Sequence, residues 1–83
     1  MSWTRAARAT EATALDAGAA AKLAGARDGD QAARDTNLSD RERHIAQAAA
    51  STLRGQARDM RETANALRDG VDPTELGYSR SGR

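Results

Sequence analysis

From Ala46 onward, apolar positions follow one another at alternating steps of four and three: Ala46, Ala50, Leu53, Ala57, Met60, Ala64, Leu67 and Val71. This is a heptad pattern, and it predicts a helix with one face packed along another helix. One seam position is small throughout, at Ala50, Ala57 and Ala64. Small side chains let two helix axes come close and favour a partner that is itself narrow. The chain supplies such a partner upstream, where Ala12, Leu15, Ala19, Leu23 and Ala26 recur at the same intervals. That stripe lies on a stretch of alanine and other good helix formers, about Trp3 to Ala24, with Gly25 where a helix commonly ends. Trp3 projects about half a turn away from the stripe if the helix is regular.

The boundaries of the second helix have a local mechanism. In "NLSDRE" Ser39 can accept from the amide of Glu42, while Glu42 reaches back to the amide of Ser39. The helix then runs from Asp40 to about Asp69, stopped by Gly70. In "DPTELG" Asp72 caps a short turn over 73–76, Pro73 opens it and Gly77 ends it. The segment 25–38, rich in glycine, aspartate and asparagine, is expected to be a connector with one short helical turn near Gln31 to Arg34. Asp28 and Asp30 have the opening spacing of a calcium loop, but Ala33 stands where its glycine belongs and Ser39 where its glutamate belongs, so no calcium site is read there.

The expected architecture is therefore all-α: an antiparallel helical hairpin with an alanine-rich, coiled-coil-like seam, forming one domain over 1–77 with a flexible tail at 78–83. At 83 residues without a phenylalanine, the apolar core is small. A core of that size is commonly supplemented by association. Ile45, Ala49 and Thr52 on the long helix lie off the seam, and Gly55 sits mid-helix on the far side, where it reads first as drift or a slight bend and second as a point of close approach for another chain near Ala48. A homodimer forming a four-helix bundle is the expected assembly, with a different protein chain as the neighbouring alternative.

Charge is high but nearly cancelled, 13 basic against 12 acidic residues, which argues against a generic polyanion binder. All but one of the basic residues are arginine, a bias that GC-rich codons produce, and this points to a high-GC bacterium or its mobile elements. Without cysteine there is neither a disulfide framework nor a thiolate site. No stretch reads as a signal-peptide core or a membrane span, and the expected location is cytoplasmic.

Arg54, Arg61 and Arg68 recur every seven residues beside the seam, with Arg58 close by and Glu62 one turn from it. These four arginines are the candidate surface for an anionic partner; as the flank of a coiled coil they would instead form interhelical ion pairs. His44 stands alone, and Asp59 and Glu62 share an open helix surface rather than a pocket that would separate their pKa values. No phosphate-cradling loop is present. The reading that follows is a non-enzymatic protein–protein interaction or oligomerisation protein, with a candidate regulatory role and no cofactor, metal or small-molecule substrate. The runner-up is a DNA-associated regulator using the arginine edge. In outline the plan resembles the small helical substrates of type VII secretion. Their Trp-x-Gly turn is missing, however, since the sole tryptophan is Trp3, and no suitably spaced acid follows Tyr78, so no family is assigned.

Overall fold

A computed structural model describes residues 3–79 of the chain. Helix α1 spans Arg5–Ala33 and helix α2 spans Asp40–Arg68; a 3₁₀ turn, Pro73–Leu76, follows, and the described residues include no strand. The two helices pack antiparallel along their full length into a rod measuring 54 × 18 × 17 Å.

Helix α2 begins and ends where its local chemistry dictates. The Ser39 hydroxyl accepts from the amide of Glu42 at 3.1 Å, and the Glu42 carboxylate accepts from the amide of Ser39 at 3.0 Å, completing the reciprocal cap. At the other end Gly70 takes φ +91°, a left-handed conformation. Its amide and that of Val71 then close on the carbonyls of Leu67 and Ala66. That double closure satisfies carbonyls the helix would otherwise leave open. Val71 therefore lies beyond the helix and half-buried, so the seam of α2 ends at Leu67.

Helix α1 departs from expectation at both ends. Thr4, not Trp3, is its boundary: the Thr4 hydroxyl accepts from the amide of Ala7 at 3.0 Å, and Trp3 stands outside the helix. At the far end the helix does not stop at Gly25 but continues to Ala33, so the connector shrinks from 25–38 to 34–39. The reason is tertiary. A Cβ at Gly25 would lie 3.2 Å from Leu53 Cδ1, and one at Gly29 would lie 2.9 Å from the Ala46 carbonyl oxygen. At these positions glycine keeps the helix running because α2 occupies the space a side chain would need.

The connector is held by its own hydrogen bonds. Asp35 accepts through its carboxylate from the amide of Asn37 at 2.9 Å and through its carbonyl from the amide of Leu38 at 3.1 Å. Arg43 reaches back from α2, donates to the Leu38 carbonyl at 3.0 Å, and pairs with Asp40.

The core is a ladder of alanines. Ala12, Ala19 and Ala26 of α1 and Ala50, Ala57 and Ala64 of α2 are buried, and Leu67 is the largest side chain described as fully buried. The larger seam residues Leu15, Leu23, Leu53 and Met60 are half-buried along the edges of this ladder, as is Ala46. Met60 rests in the notch left by Gly18, where a Cβ would come within 2.4 Å of its Cε.

Candidate interaction surface

The arginine edge is brought against α1. Arg54 donates through both terminal guanidinium nitrogens, Nη1 and Nη2, to Asp30, and Arg68 donates to Asp16 at 2.7 Å. Antiparallel pairing explains the match, because steps of seven along α2 run against steps of seven along α1. Arg54, Arg61 and Arg68 then correspond to Asp30, Leu23 and Asp16. An arginine on α2 leans toward the helix N-terminus and so reaches an acid on the facing helix further along the rod. Arg61 occupies the middle of this ladder, where α1 carries Leu23 instead of a carboxylate. Arg58 lies 4.0 Å from Asp59 and not on Glu62, which sequence spacing had favoured; with both side chains about three-quarters exposed, water competes for either contact. The Asp30 carboxyl is held below its ordinary range, first by the hydrogen bond from Arg54 and then by that cation's charge.

On the other side of α2, Ile45 lies about 180° around the helix from Arg54. Ile45 is 57% exposed, the most exposed large apolar side chain described. Ala48, Ala49 and Thr52 extend the same surface and are likewise exposed. The Thr52 hydroxyl donates to the Ala48 carbonyl at 3.2 Å. A hydroxyl bonded back to its own helix leaves the methyl group as the outward feature. At Gly55 an added Cβ would meet nothing within 4 Å, in contrast to the three glycines of α1.

The two ends of the described chain meet at one end of the rod. Trp3 is 8% exposed and stands edge-on to Tyr78, with ring centroids 5.1 Å apart. Its indole Nε1 donates to the Ser79 carbonyl at 2.8 Å, and the Tyr78 hydroxyl donates to Glu11 at 2.9 Å. Tyr78 and Ser79, expected to open a flexible tail, are thus held by Glu11 of α1 and by Trp3 ahead of it; 80–83 lie outside the described residues. Gly77, at φ +93°, ends the 3₁₀ turn and sends the chain toward Trp3. The sequence signal for this clasp was the pair of isolated aromatics themselves, each of which buries too much apolar area to be left in water without a partner.

Two open depressions flank the hairpin. One, of about 470 Å³, lies between Arg5, Arg8 and Arg68 and also contains Asp69. The other, of about 270 Å³, lies between Leu15, Met60 and Tyr78. His44 is exposed on α2 and borders neither. Among the described residues no three His, Cys, Asp or Glu side chains gather as a metal site, and no helix is long and apolar enough to cross a membrane. No family model, curated protein or solved structure matches the chain.

Proposed function

We propose that this protein is a non-enzymatic helical interaction module that self-associates, two hairpins forming a four-helix bundle. The observation that carries the reading is how little one hairpin buries. Apart from Trp3 in the clasp and Pro73 in the 3₁₀ turn, its buried side chains are alanine and Leu67, while Ile45 and the alanines of both outer faces remain in water. Each buried alanine contributes far less than a buried leucine, so a second layer of helices would add the apolar burial that the hairpin lacks.

The arginine edge supports this reading better than it supports binding to nucleic acid. Arg54 and Arg68 are committed to Asp30 and Asp16, so half of the four candidate cations already serve the hairpin's own register. Competing phosphates would have to displace those carboxylates. Sedimentation equilibrium over a wide concentration range tests the proposal. A mass that rises from one chain to two with concentration supports it; a folded monomer throughout refutes it. Binding to duplex DNA that weakens steeply with salt, and is lost on joint Arg54→Ala and Arg61→Ala substitution, would shift the assignment to the DNA-associated alternative.

A further inference from the structure

Resting on the self-association proposed above, we infer that two copies meet through the outer face of α2, antiparallel about a two-fold axis near residue 50, with Ile45 of each chain seated over the partner's Gly55. Three features of that face fit a copy of itself in this orientation.

The first is shape. Ile45 projects 57% exposed, and ten residues along the helix Gly55 presents a surface with no side chain. No packing within the chain requires glycine there, since a Cβ would meet nothing within 4 Å. A two-fold axis midway between the two positions brings projection to notch twice, and the same axis lays Ala48 against the partner's Thr52. A parallel pair would instead set Ile45 against Ile45 and leave both notches empty.

The second is charge. Arg41 and Asp59 stand at equal distances on either side of residue 50, both exposed and near the ends of the stripe. Antiparallel pairing brings each Arg41 to the partner's Asp59; parallel pairing brings like charges together. The neighbouring Arg58, 4.0 Å from Asp59 and largely in water, is no competitor that fixes the carboxylate in place.

The third is polarity. Between those charges the Thr52 hydroxyl is already satisfied by the Ala48 carbonyl, so the centre of the face can be dried without stranding that donor. The stripe from Arg41 to Asp59 is about 27 Å long at 1.5 Å per residue and lies away from the ion pairs to α1. A second hairpin can therefore dock without disturbing the first seam.

Sedimentation equilibrium of the intact chain, compared with Gly55→Leu and Ile45→Glu, tests this. A Cβ at 55 meets nothing within 4 Å in the chain, and leucine forms helix better than glycine, so the monomer should fold at least as well. Both substitutions should nevertheless raise the dimer dissociation constant about tenfold or more, with helicity and melting of the dilute chain preserved. Orientation is read by oxidising a mixture of Ile45→Cys and Gly55→Cys chains, which is clean because the protein has no cysteine of its own. Disulfides joining the two different chains support the antiparallel pair, and disulfides between two Ile45→Cys chains overturn it. A wild-type dimer left intact by Gly55→Leu overturns this interface while self-association stands. A wild-type chain monomeric at every concentration removes the self-association itself, and this interface with it.

Discussion

At the scale of single residues, the four helical glycines are not equivalent, and a Gly→Ala series should separate them. At Gly29 the new Cβ would sit 2.9 Å from a backbone oxygen on α2 and 3.1 Å from the Ala50 Cβ, neither of which can swing aside. Gly29→Ala should lower stability by about 1 to 3 kcal/mol, outweighing its gain in helix propensity of about 1 kcal/mol. At Gly18 the obstacle is the tip of Met60, which can rotate, so Gly18→Ala should be close to neutral. Gly55→Ala should raise monomer stability by up to about 1 kcal/mol. Thermal melts at low concentration read all three. The seam offers a parallel contrast: Met60→Leu should change little, whereas Ala57→Leu, at a position 1% exposed, should cost about 1 to 3 kcal/mol. A melting temperature raised by Ala57→Leu would contradict the close-packed ladder. The arginine periodicity is legible in the sequence and its acids are not, because Asp16 and Asp30 lie fourteen apart with Leu23 between them. Only setting the two helices in antiparallel register exposes the match.

At the scale of elements, both ends of α2 were readable and the C-terminal end of α1 was not, for opposite physical reasons. Ser39, Glu42 and Gly70 terminate α2 by interactions within a few residues of each boundary, and such signals are written in the local sequence. The continuation of α1 through Gly25 and Gly29 depends on Leu53, Ala46 and Ala50, which come later in the chain and override propensity. Ser39→Ala should therefore cost about 1 kcal/mol, read by denaturant melts. Acid should weaken the hairpin through two carboxyls. Glu42 is held below its ordinary value of 4.5 by the Ser39 amide and hydroxyl, and Asp30 is held below 3.8 by Arg54. A depressed folded pKa adds stability above the unfolded value and loses it as pH falls through the folded one. The melting temperature should thus hold between about pH 7 and pH 5 and decline below about pH 4. Glu42→Gln, which keeps the reciprocal cap without the titration, should flatten part of that decline.

At the scale of the whole molecule, the hairpin is far from a sphere. Its radius of gyration is 16.7 Å, against about 12 Å for a compact domain of this length. A side-by-side dimer should double the mass with little increase in the 54 Å length, whereas end-to-end association would lengthen the particle; small-angle scattering distinguishes the two. The clasp of Trp3, Tyr78 and Ser79 joins positions 76 residues apart, so its optical signature is also a whole-molecule one. Trp3, the sole tryptophan, should shift to redder emission on Tyr78→Ala while the far-ultraviolet helical signal persists. The clasp has a mechanical consequence too. Because it gathers both ends at one pole of an antiparallel rod, tension applied through the two ends acts across the helix pair as on a zipper. The Trp3–Tyr78 contact carries the first load, and once it parts the alanine ladder opens rung by rung from Ala12 and Ala64 toward the connector. In optical tweezers such a chain should yield at low force after one initial peak, and Tyr78→Ala should erase that peak.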